Sequence, residues 1–311
     1  MNGQRRWFLL GPTASGKSDI ALDLAPRLAA EILSLDSMLV YRGMDIGTAK
    51  PGPAARARVA HHLLDMVAPS EAFSAARWVA AAVAAEAELA QRGRNALYVG
   101  GTALYLKALL HGLPQGRAIP PEVREALRRE AEQDGGPQRL RAELERADPV
   151  AAARIHPRDA KRLLRALEHA RAFGEPWSAA WAPWPESGLL GVPALAVRWP
   201  RAALHERIAR RFERMLDAGL LDEVLRIRAS GGFGPTARGA IGYRHLLKHL
   251  EQGGAIRDAI ADAVRDTRVL VRRQETWLRS FPDVGALDAG AAGGNPAALA
   301  EEAARRFSAA G

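Results

Sequence analysis

The sequence predicts a three-layer α/β fold built on a parallel sheet, and three observations carry that prediction. Three short apolar runs, Trp7 to Leu10, Glu31 to Leu35 and Ala96 to Val99, have the length and continuity of strands buried on both faces. Each ends at residues suited to chemistry: Gly11, Asp36, and the triplet Gly100-Gly101-Thr102. In open α/β sheets, sites lie at the carboxyl ends of strands. Between the runs the spacing turns helical, with Ile20, Leu24 and Leu28 on one stripe and an alanine-rich stretch from Ser74 to Gln91 that closes at Gly93. Alternating strands and helices place the helices on both faces of the sheet.

From about Pro114 to Pro193 the alternation stops. Proline and glycine punctuate both borders, and the interior reads as charged helices around Pro121 to Gln133, Gln138 to Glu145 and Asp159 to Phe173. A helical insertion at 114–193 is therefore expected between two parts of the core, 1–113 and 194–282. The second part opens with a strand-like run, Ala194 to Trp199. Helices around Arg201 to Ala218, Asp222 to Ala229 and Ile256 to Leu278 follow. Residues 283–311, rich in glycine and alanine, read as a C-terminal tail.

The 311 residues, 48% of them hydrophobic, suffice for a substantial core. A formal net charge of +9 biases the surface toward polyanions. The absence of cysteine excludes disulfides, thiolate zinc sites, iron-sulfur clusters and a cysteine nucleophile. The apolar run before Gly11 is too short for a signal peptide or a membrane span, so a cytoplasmic protein without membrane association is expected.

Gly11-Pro12-Thr13-Ala14-Ser15-Gly16-Lys17-Ser18 fits the pattern G-x-x-x-x-G-K-[ST], and it lies between an apolar run and an amphipathic helix, as that pattern must. A chance match in a chain of this length is on the order of 1%. The glycines let successive N–H groups turn inward, the helix N-terminus adds partial positive charge, Lys17 neutralises phosphate oxygens, and the Ser18 hydroxyl can ligate Mg²⁺. The core is thus expected to be P-loop NTPase-like. The loop alone leaves ATP, GTP and other diphosphate esters open.

After the second strand, Asp36-Ser37-Met38-Leu39-Val-Tyr-Arg-Gly-Met-Asp45-Ile-Gly-Thr-Ala-Lys50-Pro51 joins a strand-end carboxylate to a polar loop containing glycine. By position alone Asp36 can be a general base, a helix cap, or a carboxylate holding Mg²⁺ through water. Asp45 reads as a loop cap. His61 and Asp65, four apart, suggest a metal pair, but no third ligand is evident nearby, and the adjacent His62 cannot share their helical face.

Together with His61-His62-Leu-Leu-Asp65 and Val99-Gly-Gly-Thr102-Ala-Leu-Tyr-Leu-Lys-Ala-Leu110, these motifs resemble the bacterial tRNA dimethylallyltransferase family in order and spacing, from about residue 7 to 281. The resemblance implies transfer of a dimethylallyl group from dimethylallyl diphosphate to N6 of the adenosine 3′ to the anticodon. The loop would then hold the leaving diphosphate, with Mg²⁺ on Ser18. An exocyclic amine whose lone pair is delocalised into the purine needs a positioned base, and the resemblance gives that role to Asp36. Thr102 would supply a hydroxyl near the reacting groups. Diphosphate leaves only when its growing charge is neutralised. The resemblance gives that role to an arginine of the helix that carries Leu-x-x-Arg-Ile-x-x-Arg-Phe, which by alignment would be Arg211, with Arg207 as the alternative.

Three basic faces recur on predicted helices. Arg207, Arg211 and Arg214 lie beside the stripe Leu204, Ile208, Phe212 and Met215. Arg265, Arg268, Arg272 and Arg279 share a face of the last helix, and Arg158, Arg162, Arg165 and His169 share one in the insertion. Each alone reads as a solvated surface. In a chain of net +9 they point together to a phosphate backbone. The resemblance assigns tRNA contacts to Asp36, Ser37, Met38, Leu39 and Thr102; to Arg124 and Lys161-Arg162-Leu163-Leu164-Arg165; and to Arg268, Arg272, Arg273, Gln274, Trp277 and Arg279. Gly239-Ala240-Ile241-Gly242-Tyr243-Arg244 joins a glycine turn to an aromatic that could stack on a splayed base. Trp177, Trp181 and Trp184, in a proline-rich return segment, read as packing against the core.

The chain departs from the family pattern in two ways. Ser18 stands where threonine is common, and no cysteines exist for the zinc finger of some eukaryotic relatives, so the bacterial type is the closer comparison. Three other readings compete: a small-molecule or nucleoside kinase, a prenyltransferase acting on a free adenylate, and a non-catalytic RNA-binding module. None needs both the Asp36 to Pro51 segment and the basic faces. A monomer is expected.

Overall fold

The computed structural model describes residues 4–113, 117–180 and 191–309. The elements run β1 (Arg6–Leu10), α1 (Lys17–Arg27), β2 (Ala30–Leu35), α2 (Pro53–Arg58), β3 (His61–His62), α3 (Ala75–Gln91), β4 (Asn95–Gly100) and α4 (Ala103–His111). Next come α5 (Pro121–Glu132), α6 (Gly136–Ala147), α7 (Pro149–Arg154), α8 (Ala160–Phe173) and α9 (Trp177–Ala180). The chain closes with β5 (Ala194–Arg198), α10 (Arg201–Asp217), α11 (Leu220–Ala229), α12 (Pro235–Arg238), α13 (Tyr243–Gln252), α14 (Ile256–Arg279), β6 (Gly285–Asp288) and α15 (Pro296–Ala309).

The six strands form one parallel sheet in the order β3-β2-β4-β1-β5-β6. Side chains alternate across its pleat. Trp7, Leu9, Ile32, Leu97 and Leu195 face a layer made by α1 and α15, while Phe8, Leu10, Leu33 and Tyr98 face the layer that contains Trp78 and Leu204. Ser74 caps α3 by accepting the Arg77 N–H, and Trp78 Nε1 fastens α3 to β2 by donating to Ser34 O at 3.2 Å. The chain leaves β1 toward β2 but leaves β4 toward β5, so its connections part at the carboxyl ends of the adjacent strands β1 and β4. Such a point opens a crevice for ligands.

The strands β3 and β6 were not expected from the sequence, nor were the helices α2, α4, α7, α9, α12, α13 and α15. His61–His62 is the short edge strand β3, not part of a helix. The segment expected as a tail forms β6, paired with β5, and α15, which packs on α1. Leu287, Leu299, Ala303 and Phe307 are buried there, and ordinary burial of these few apolar residues outweighs a composition dominated by glycine and alanine.

The chain divides into two compact units, Met1–Leu110 with Glu186–Gly311, and His111–Pro185. The second has its own core, with Leu127, Leu140, Leu144, Ala166 and Leu167 buried among α5 to α8. Asp148 and Asp159 cap α7 and α8, and Arg171 bridges Glu130 and Glu143. Trp177 packs against this helical core; Trp181 and Trp184 lie outside the described residues.

Candidate active site at the strand ends

The loop after β1 curls as its glycines and one strained alanine allow. Gly16 is left-handed at φ 85°, and Ala14 adopts φ 63°, a conformation that costs a residue with a Cβ on the order of 1 kcal/mol. Three of the loop's carbonyls are occupied by side chains. Pro12 O accepts from Lys17 Nζ at 3.2 Å, Ala14 O from Arg207 Nε at 2.8 Å, and Ser15 O from Trp199 Nε1 at 2.8 Å. Arg207 also lies 4.4 Å over the Trp199 ring. Among the described residues the N–H groups of Ala14, Gly16, Lys17 and Ser18 meet no acceptor, the arrangement that binds an anion at a helix N-terminus. Desolvation lowers the Lys17 ammonium to about 8, against an opposing pull from Asp36 and with a further push from Arg211.

The ends of β2 and β4 are tied to each other and to this loop. Gly101 and Thr102 both donate their N–H groups to Leu35 O at 3.2 Å, and Gly11 N donates to Gly100 O at 3.2 Å. A Cβ at Gly100 would stand 2.0 Å from Leu35 O, so only glycine lets the strands meet here. Thr102 Oγ1 accepts the Ser37 N–H at 3.2 Å, and Asp36 Oδ1 accepts the Met38 N–H at 2.8 Å. The Asp36 carboxylate is thereby aimed while part of it stays available.

Arg211 comes to this place from α10. Its Nη2 donates to Thr48 O at 3.1 Å, and its guanidinium is held below its usual range by burial, opposed by Asp36 and assisted by Arg214. Asp36 thus acts on Lys17 and Arg211 together. Arg207, one turn earlier, is placed against the outer wall of the loop through its bond to Ala14 O, so the two arginines hold different positions.

Several residues that organise the site were not singled out by the sequence. Glu223 is buried and accepts the N–H groups of Asp45, Ile46 and Gly47 together with the Tyr243 hydroxyl. Its signal was present: an acid inside the apolar stripe Leu220, Val224 and Ile227. Lys50 is buried between Asp45 and Asp65 at 2.8 and 2.7 Å, so Asp45 is an ion-pair partner rather than a simple loop cap. His61 Nδ1 meets Val59 O and His62 Nε2 meets Glu31, each at 2.7 Å. Among the described residues no three His, Asp or Glu side chains form a metal cluster.

Some residues assigned to RNA are placed elsewhere. Tyr243 is fully buried with its hydroxyl on Glu223, so it cannot stack on a base. Ala240 and Gly242 are buried beside it, whereas Gly239 and Arg244 are exposed and Ile241 is half-buried. Leu163 belongs to the helical unit's core and Leu164 packs against it, and His169 is buried and so leaves the basic face of Arg158, Arg162 and Arg165. Gln274 bridges two backbone segments of the site: Thr13 N donates to Oε1 and Nε2 donates to Gly101 O. Arg272, Arg273 and Arg279 are exposed on α14, and Arg268 is half-buried with its Nε unpartnered among the described residues. Trp277 is half-buried, with Lys107 Nζ 4.7 Å over its ring. Within the helical unit Lys161, Arg162 and Arg165 are exposed, and Arg124 pairs with Glu168 at 3.5 Å.

A phosphate loop, a carboxylate and a hydroxyl on neighbouring strand ends, and a half-buried arginine sharing their field define a group-transfer enzyme of the P-loop class. The chain belongs to the IPP transferase family, whose sequence pattern matches residues 39–281. It is 48% identical over 281 residues to a tRNA dimethylallyltransferase of Burkholderia thailandensis, covering 88% of this chain and 86% of the relative. A tRNA dimethylallyltransferase of Thioalkalivibrio sulfidiphilus is 46% identical over 90% of this chain and 89% of its own. The crystal structure of a tRNA isopentenylpyrophosphate transferase from Bacillus halodurans superposes with a TM-score of 0.70 at 32% identity, covering 99% of this chain and 98% of that one. Among the described residues no helix is long and apolar enough to cross a membrane.

Proposed function

We propose that this protein transfers a dimethylallyl group from dimethylallyl diphosphate to N6 of the adenosine 3′ to the anticodon of a tRNA, releasing diphosphate. The observation that carries this reading is the convergence of Asp36, which follows β2, with Lys17 of the loop after β1 and Arg211 of α10, a carboxylate whose charge acts on two cations. A nucleotide-hydrolysing loop does not by itself need that base.

The unpaired N–H groups of the loop and Lys17 bind the diphosphate. As the allylic C–O bond breaks, Lys17 and Arg211 neutralise the leaving oxygens. The N6 lone pair forms the new N–C bond and its proton passes to Asp36. Thr102 holds the Ser37 backbone and so keeps the Asp36 turn in place. The exposed Ser18 hydroxyl, without a hydrogen bond among the described residues, is a hard oxygen donor that fits Mg²⁺. That ion, when bound with the diphosphate, supplies further charge neutralisation.

The RNA is held by the exposed cations Arg272, Arg273 and Arg279 of α14, by Arg244, and by Arg124, Lys161, Arg162 and Arg165 of the insertion at 114–193. The adenosine is drawn from its stack to reach Asp36. The protein works as a cytoplasmic monomer. Incubation with tRNA, dimethylallyl diphosphate and Mg²⁺, followed by digestion and mass spectrometry, should reveal a dimethylallyl mass increase on adenosine. ATP hydrolysis without tRNA modification would sink the reading in favour of a kinase or NTPase.

A further inference from the structure

Transfer requires two parts of the site at a fixed spacing: the loop that grips the leaving diphosphate, and the strand ends that present the base to the amine. We propose that Gln274 sets this spacing as a positioning residue. The inference rests on the transfer reading above and adds a residue to it.

Both ends of the Gln274 amide are committed. Its Oε1 accepts from Thr13 N at 3.0 Å, inside the phosphate loop, and its Nε2 donates to Gly101 O at 3.1 Å, beside Thr102. Thr102 in turn holds Ser37 N, the residue after Asp36. One side chain thus links the diphosphate cradle to the turn that carries the base. A second observation is steric: a Cβ on Gly101 would stand 2.6 Å from Gly11 O and 2.7 Å from Gln274 Nε2. The two loops meet at backbone distance, and the amide fills the remaining gap.

Only glutamine satisfies this geometry. Asparagine is one methylene too short to reach both loops from α14, glutamate sets a carboxylate oxygen against the Gly101 carbonyl, and methionine keeps the length without either hydrogen bond. Thr13 N is also withdrawn from phosphate binding, so Gln274 acts on the shape of the cradle without touching the diphosphate. Misplacement of reacting groups by about 1 Å costs on the order of a hundredfold in rate.

The test is single-turnover transfer at saturating tRNA and dimethylallyl diphosphate for Gln274→Met and Gln274→Glu, with tRNA affinity and melting temperature measured alongside. The expected result is a transfer rate lowered by about 30- to 100-fold at a temperature where the variants are folded, with tRNA affinity unchanged. Should Gln274→Met fail to fold, Gln274→Glu, which keeps the length and the acceptor for Thr13 N but replaces the Nε2 donor by a charged oxygen, carries the same prediction. A wild-type single-turnover rate in the folded variant overturns the proposal. So does a loss confined to tRNA affinity, which would make Gln274 an RNA contact. Failure of the unaltered protein to modify tRNA removes the transfer reading as well, whereas turnover with an unimpaired variant removes this inference alone.

Discussion

Tyr243 donates its hydroxyl hydrogen to Glu223, and the same carboxylate receives the N–H groups of Asp45, Ile46 and Gly47. The pair holds the loop that ends at Thr48, whose carbonyl fixes Arg211. Glu223→Gln replaces an acceptor by an amide donor facing backbone donors. It should destabilise the fold by about 3 kcal/mol and lower the transfer rate, read by urea unfolding and single-turnover kinetics. Tyr243→Phe, which removes one donor and keeps the ring, should cost less; a larger loss than in Glu223→Gln would contradict the role given to the carboxylate.

Asp36→Asn keeps the shape of the turn and the acceptor for Met38 N but cannot take a proton. Transfer should fall by about 10²- to 10⁴-fold while tRNA binding is retained. Loss of binding in filter assays would mean that the carboxylate serves the RNA and not the chemistry.

Lys17 gives the site a defined pH response. Its ammonium is lowered to about 8, so the free loop is charged below that pH and loses its charge above it. Binding an anion favours the ammonium, hence affinity for inorganic diphosphate should weaken as pH rises, by about tenfold between pH 7 and 9. Lys17→Arg should flatten that dependence in calorimetric titrations. An unchanged slope would remove Lys17 from the diphosphate.

Replacing Arg268 and Arg272 by Ala should weaken tRNA binding and reduce the slope of log K against log salt by about 1 to 2. Transfer at saturating tRNA should stay close to that of the unaltered protein. A preserved salt slope would show that this face of α14 does not meet phosphates.

The closing helix has a purely structural prediction. Phe307 is buried and lies 6.2 Å from the Trp7 ring, so Phe307→Ala should cost about 3 to 5 kcal/mol in denaturant unfolding. Only a small shift would follow if α15 were an independent tail.

The sequence by itself determined whatever depends on local pattern. Apolar runs of strand length, the glycine loop with Lys17, and the stripes of α8, α10 and α14 specify buried strands, an anion cradle and amphipathic helices, because backbone sterics and side-chain periodicity act over a few residues. Asp36 and Thr102 were legible as strand-end residues for the same reason. Tertiary structure decided everything that depends on which distant segments meet. It separated Arg211 from Arg207 by giving one to Thr48 and the other to the loop wall. It moved Tyr243 and Gln274 from an expected RNA surface to a buried carboxylate and a bridge between strand ends. It also drew residues 285–309 into the core. Local pattern marked Glu223 as an acid within an apolar stripe but could not name its partners, and Gln274, 261 residues from Thr13, acquires its role only from the groups that folding sets against it.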